Sequence, residues 1–239
     1  MAVRPPGRFF RSHIANGMTF KPYWPKGHAV GVDLRSGAGM TQRRKGVTVR
    51  KDYQPGVLQP AQRSASEIAA RDEFNRRHPP IEGLIVPHDL RKMDLPERPW
   101  RNNRGQWFDL AGYEVLSAHV AELKPGDCSV RHRHTTEAYL YVVKGHGYSV
   151  INYEGEPEQV VEWSEGMLFA PPRWAWHQHF NLDDTDTSRY LAIQDTGLLR
   201  TMKLHQIERH SVQLSPEEGA RLLAEATQRQ RQGRQADTD

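Results

Sequence analysis

The stretch Gly126-Asp127-Cys128-Ser129-Val130-Arg131-His132-Arg133-His134-Thr135-Thr136-Glu137-Ala138 is followed, after six intervening residues, by Gly145. On an extended strand, side chains two apart point to the same face, so His132 and His134 project together and can share one metal ion. A second stretch starts forty residues after Gly126: Gly166-Met167-Leu168-Phe169-Ala170-Pro171-Pro172-Arg173-Trp174-Ala175-Trp176-His177-Gln178-His179-Phe180-Asn181. There His177 follows a proline-bounded turn and is the candidate third ligand. Neutral imidazoles suit Fe, Zn, Cu or Ni, and three protein ligands leave positions open for water, oxygen or substrate.

Outward from these stretches, short apolar runs recur with turn residues between them. They are 138–143, 148–153, 159–163, 167–170, 177–180 and 190–193, separated by Lys144-Gly145, Glu154-Gly155, Glu165-Gly166, Pro171-Pro172 and Asp183-Asp184. Strands at such intervals predict an all-β sandwich or barrel. A further strand is expected over 113–123 from the alternation of Val115, Ser117, His119 and Ala121 with Glu114, Leu116, Ala118 and Val120. Upstream, Ser64 or Ser66 can cap a helix that carries Ile68, Ala69 and Phe74 and stops at Pro79-Pro80. Downstream, Ser215-Pro216-Glu217-Glu218 has the form of a capping box and predicts a helix from Pro216 to about Gln228, with a frayed polar tail after it.

The chain of 239 residues has 37% hydrophobic and 26% charged residues, enough for one core with polar sequence left over. One cysteine, Cys128, excludes an internal disulfide framework and a thiolate-rich zinc cluster, so metal binding must use histidine and carboxylate. No run approaches the length of a membrane span and no apolar signal core opens the chain, so a soluble cytoplasmic protein is expected. Residues 1–51 hold eleven Lys/Arg against the single acid Asp33. Without an accompanying amphipathic helix or nucleic-acid module, this charge reads as a solvated or subunit-wrapping arm rather than a nucleic-acid site. The expected organisation is a basic extended arm over 1–62, a helix and loop over 63–107, a β-barrel over 108–200, and a helix and tail over 201–239.

Both histidine stretches resemble the two signature motifs of the cupins. The first has glycine, five residues, His132, one residue, His134 and the turn glycine Gly145; the second has Gly166, five residues, Pro172, then His177, three residues and Asn181. Trp174 stands where the second motif usually has glycine. The resemblance covers roughly 108–198 and implies a double-stranded β-helix, or jelly-roll, barrel. Counting back from Gly145, the position at which many cupins carry a liganding glutamate is Ala138 rather than Glu137. Strand parity agrees, and a site of three histidines without a carboxylate is expected.

The phrases around His132-Arg133-His134-Thr135 and Trp174-Ala175-Trp176-His177-Gln178-His179 are similar to gentisate 1,2-dioxygenases and to related salicylate and hydroxynaphthoate ring-cleaving enzymes. That resemblance implies Fe(II) on His132, His134 and His177, with O2 and a small aromatic hydroxy acid or other oxygen-chelating molecule as reactants; Zn, Ni and Mn are the alternative metals. Arg133, Arg173, Gln178 and His179 are the candidate groups for an anionic substrate, and Glu137 the candidate base or fourth ligand. Two other classes fit the same motifs: a lyase or isomerase using Glu137, Tyr139 or Tyr141 as base, and a metal-binding cupin without turnover. By the same resemblance a homodimer or larger homo-oligomer is expected.

Overall fold

A computed structural model describes residues 65–236 of the chain. The basic arm and Ser64, one of the two candidate caps of the upstream helix, lie outside the described residues.

In chain order the elements are α1 (Ala65–Arg77), β1 (Ile81–Gly83), β2 (Glu97–Arg98), a 3-10 turn (Pro99–Arg101), β3 (Asn103–Leu110), β4 (Ser117–Leu123), β5 (His132–His134) and β6 (Ala138–Lys144). Then come β7 (His146–Asn152), β8 (Gln159–Ser164), β9 (Leu168–Phe169), β10 (Trp176–Asn181), β11 (Ser188–Gln194), α2 (Thr196–Thr201), β12 (Ile207–Arg209) and α3 (Pro216–Ala236). The strands form two sheets. A seven-stranded sheet runs β1-β3-β4-β11-β6-β9 with β2 also on β3, and a five-stranded sheet runs β12-β5-β10-β7-β8. All pairs are antiparallel except β1 with β3.

Alternation along the strands explains the core. Ala121 and Leu123 of β4, Leu140 and Val142 of β6, and Tyr190 and Ala192 of β11 all turn inward and pack with Trp163 of β8. The outer face of the five-stranded sheet is buried too: Tyr148, Val150 and Phe180 lie under Leu222 and Leu223 of α3. A Cβ on Gly219 would come within 2.6 Å of the Phe180 ring and of the Tyr148 hydroxyl, so glycine there allows α3 its close approach.

Two expectations are corrected. The strand read over 113–123 begins only at Ser117, because Ala111 and Gly112 take left-handed φ of 59° and 62° and turn the chain, leaving Tyr113, Val115 and Leu116 exposed. The C-terminal helix does not end near Gln228 but continues to Ala236. Apart from Thr227 and Gly233 its second half is Gln, Arg and Ala, which are strong helix formers, and Glu225 pairs with Arg221 and Arg229 one turn away on either side. The capping box itself forms: the Glu218 N–H donates to Ser215 Oγ (3.2 Å), and the Ser215 N–H to Glu218 Oε2 (2.8 Å).

Candidate metal centre and cavity

β5 and β10 are neighbours in the five-stranded sheet, with His132 directly opposite His177. This register, with the two-residue alternation of β5, brings His132, His134 and His177 onto one inward face. One ligand atom from each lies within 4.8 Å of the others. Ring centroids are 4.4 Å apart for His132 and His177, 4.9 Å for His134 and His177, and 5.6 Å for His132 and His134.

In each of the three rings Nδ1 faces a backbone carbonyl: Val130 O at 2.8 Å for His132, Thr136 O at 2.9 Å for His134 and Ala175 O at 2.9 Å for His177. A carbonyl only accepts, so Nδ1 of His132 and of His177 carries the proton and Nε2 keeps a free lone pair; Nδ1 of His134 also lies 2.7 Å from the Thr136 hydroxyl, and with its proton held toward the carbonyl its Nε2 is free as well. Burial disfavours the imidazolium form, holding His134 down to about 4 and His132 and His177 well below the usual histidine range, with the positive charge of Arg101 adding to the effect. Three neutral imidazoles with free Nε2 atoms form a donor set that can hold a transition metal.

The cluster lies on the wall of a cavity of about 90 Å³. Trp100, Trp107, Leu140 and Tyr190 supply apolar and aromatic surface, and Ala138 faces in beside the histidines. The cationic side is Arg98 at the end of β2 and Arg101 of the turn that follows it, together with Arg71 of α1. Arg98 is structural: Nε donates to Asn103 Oδ1 (3.0 Å), Nη2 to Arg104 O (3.2 Å), and the guanidinium covers the Trp107 ring at 4.6 Å. A Cβ at Gly105 would lie 2.3 Å from that guanidinium, so only glycine leaves room for it. Arg101 is placed differently. It pairs with Glu67 of α1 at 3.1 Å, and its buried Nη1 has no hydrogen-bond partner among the described residues. Nδ1 of His119, whose ring stacks on Trp107 at 4.8 Å, is likewise without one.

Of the five residues expected to serve the chemistry beside the metal histidines, only His179 lines the cavity; Arg173 is exposed and away from it. Arg133 and Gln178 alternate with the histidines and point to the opposite face. The Arg133 guanidinium lies between the rings of Trp174 (4.6 Å) and Trp176 (4.1 Å) and pairs with Glu208 at 2.7 Å. Gln178 ties down the segment before α3: its Nε2 donates to Leu214 O (2.9 Å) and its Oε1 accepts from the Leu214 N–H (3.1 Å). Glu137 is exposed, away from the cavity lining, and its backbone N–H donates to Asp195. Cys128 is buried, with its thiol pushed up to about 11 by burial, and Asn181 fixes a turn by donating to Lys124 O and Asp186 O. The cationic residues Arg71, Arg98 and Arg101, and the acid Glu67, were not among the residues singled out from the sequence.

Residues 119–194 match the cupin domain family. This stretch is a cupin domain. It contains the three clustered histidines, and the two-sheet, mainly β architecture around it is the jelly-roll arrangement expected from the motifs. The chain is 31% identical over 93 residues to 5-aminosalicylate 1,2-dioxygenase of Comamonas sp, a match covering 38% of this chain and 23% of that protein. It is 34% identical over 88 residues to 1-hydroxy-2-naphthoate 1,2-dioxygenase of Nocardioides sp. (strain KP7), covering 37% and 22%. The cupin match thus spans less than a quarter of either curated relative. Among solved structures, salicylate 1,2-dioxygenase from Pseudaminobacter salicylatoxidans superposes with a TM-score of 0.37 at 26% identity, over 41% of this chain and 27% of that one. Among the described residues no helix is long and apolar enough to cross a membrane.

Proposed function

We propose that the cupin domain is the catalytic centre of a dioxygenase in which His132, His134 and His177 hold Fe(II) and a small aromatic hydroxy acid reacts with O2. The observation that carries this reading is the donor set: three neutral imidazoles, each with Nδ1 against a carbonyl, and, among the described residues, no carboxylate in the cluster, where Ala138 stands beside the histidines. The matched relatives, named as dioxygenases of hydroxylated aromatic acids, support it.

Bound at the three histidines, Fe(II) would supply open coordination positions and a redox-active centre. The rest falls to the chain's own side chains. Trp100, Trp107 and Leu140 offer a flat apolar wall to an aromatic ring and exclude water from it. Arg101 Nη1, a buried donor without a partner among the described residues, meets the anionic group of the acid and fixes its orientation. The lyase or isomerase reading has less support, since Glu137, Tyr139 and Tyr141, the bases suggested for it, are all exposed.

The test is metal content by mass spectrometry on protein purified without oxygen, beside His132→Ala, with oxygen uptake measured after Fe(II) loading against gentisate, salicylate, hydroxynaphthoate and simple diketones. Near-stoichiometric iron and substrate-dependent uptake, both lost in the variant, are expected. Retention of Zn, Ni or Mn without oxygen uptake would move the assignment to a non-oxidative reaction. No metal at all would overturn the site.

A further inference from the structure

Another imidazole of the cavity, His179, is held differently from the three of the cluster. Its Nδ1 faces no carbonyl but the hydroxyl of Ser149, 2.7 Å away on the neighbouring strand β7. The same oxygen lies 3.0 Å from Nε1 of Trp163 on β8. An indole nitrogen only donates, so Trp163 fills one lone pair of Ser149 Oγ. Ser149 is fully buried, and among the described residues these two contacts are the hydrogen bonds of its hydroxyl, so the hydroxyl proton has one acceptor in reach there, His179 Nδ1. Nδ1 must then carry the lone pair and Nε2 the proton, the reverse of His132 and His177, whose Nδ1 faces a carbonyl alone; His134 differs from His179 in having the Thr136 carbonyl at Nδ1 beside the Thr136 hydroxyl.

We propose that Ser149 and Trp163 are positioning residues that lock His179 as an Nε2–H donor, so that this imidazole gives a hydrogen bond to an anionic oxygen of the cavity's ligand. The anionic ligand rests on the function proposed above; the tautomer does not. An Nε2 that bears hydrogen has no lone pair for a metal and no capacity to take a proton, so His179 is neither a fourth ligand nor a base. Its ring cannot readily turn over to exchange the two nitrogens. It packs against Tyr190 (centroids 5.1 Å apart) and edge-on to Phe169 (5.9 Å), and its backbone N–H is tied to Ser129 Oγ at 3.0 Å. Reversing the tautomer would leave a buried hydroxyl hydrogen without an acceptor.

The experiment is histidine-selective ¹⁵N NMR on the full-length chain, with and without the diamagnetic ion Zn(II). A protonated-type signal is expected at Nε2 of His179 and at Nδ1 of His132, His134 and His177. Zn(II) should shift Nε2 of those three and leave His179 Nε2 protonated. In Ser149→Ala the His179 signals should move to the other tautomer or to a mixture, and Ser149→Thr, which keeps the hydroxyl, should restore them. A proton on His179 Nδ1 in the unmodified chain, or a Zn(II)-induced shift of its Nε2, would overturn the inference, and these readouts need no variant to fold. An unchanged tautomer in folded Ser149→Ala would remove Ser149 from the role. The expected tautomers with no response to Zn(II) at any histidine would leave the inference standing while the metal reading fails.

Discussion

Arg101 and Glu67 meet at 3.1 Å between Nη2 and Oε2 on the cavity wall, while Nη1 of the same guanidinium is buried and unpartnered among the described residues. The pair joins the turn after β2 to helix α1. It orients the guanidinium and leaves one donor for a guest. A hydrogen bond from a charged donor to a ligand carboxylate contributes about 1.5–3 kcal/mol, so Arg101→Gln should weaken salicylate binding roughly 10- to 100-fold. Phenol, which lacks the carboxylate, should bind the variant and the unmodified chain alike. Titration calorimetry with the two ligands on metal-loaded protein checks this. Equal losses for both would show that Arg101 shapes the cavity rather than reading the anion.

The metal-type cluster was legible in the sequence because it follows from short-range rules: alternation aligns His132 with His134, and the same parity puts Ala138 rather than Glu137 beside them. Applied consistently, that rule would also have excluded Arg133 and Gln178, each of which sits between two inward-facing histidines. Their closeness in the chain outweighed parity in the reading. Arg98 and Arg101 were not legible. They reach the cavity only through the pairing of β3 with β4, and the sequence Glu97–Leu110 mixes Pro, Arg, Asn and Gly so that no alternation stands out. The contribution of α1 was hidden in another way. The helix was recognised from its apolar residues, but Glu67 and Arg71, two of its polar ones, also line the cavity.

Acid should weaken the metal-free fold over a defined window. Burial lowers His134 to about 4 and His179 to about 3, and takes His119, His132 and His177 well below 6.5. In the unfolded chain the same rings titrate near 6.5. Below that pH the unfolded state binds more protons than the folded one, so stability falls as pH falls, by up to about 1.4 kcal/mol per pH unit for each histidine. It should be level above pH 6.5 and decline from there towards pH 4. Asp89 and Asp183, held at about 2 by their hydrogen bonds, act only below this window. Urea midpoints of metal-free protein between pH 8 and pH 5 provide the measurement, and a flat profile would contradict buried neutral rings.

Ala138 marks where a carboxylate would join the histidines. It is buried, begins β6 and faces the cavity. Ala138→Glu should tighten Zn(II) binding by about tenfold or more, about 1.4 kcal/mol, by adding an anionic donor on the same face. It should also reduce oxygen uptake of the iron-loaded protein, because one open position is closed. Glu137→Gln, altering an exposed residue one step away, should change neither. Competition with a chromophoric zinc chelator reads the first effect and an oxygen electrode the second; identical behaviour of both variants would mean that position 138 does not face the metal.

Trp174 holds a left-handed backbone, φ 62°, while its N–H donates to His134 O (3.1 Å) and its ring lies 4.6 Å from the Arg133 guanidinium. The strained residue therefore ties the entry to β10 back to the strand of the first two histidines. Two substitutions separate ring from backbone. Trp174→Ala and Trp174→Gly both lose the cation–π contact, which contributes about 0.5–2 kcal/mol. Only glycine also removes the Cβ that makes the left-handed conformation costly. Both variants should be less stable than the unmodified chain, with Trp174→Gly exceeding Trp174→Ala by about 1 kcal/mol. With Arg133→Ala already in place, the loss on removing the ring should shrink, since its cationic partner is gone. Urea unfolding of the four proteins and of the two double variants measures both effects. An alanine variant as stable as the glycine variant would show that the backbone at 174 relaxes once the ring is removed.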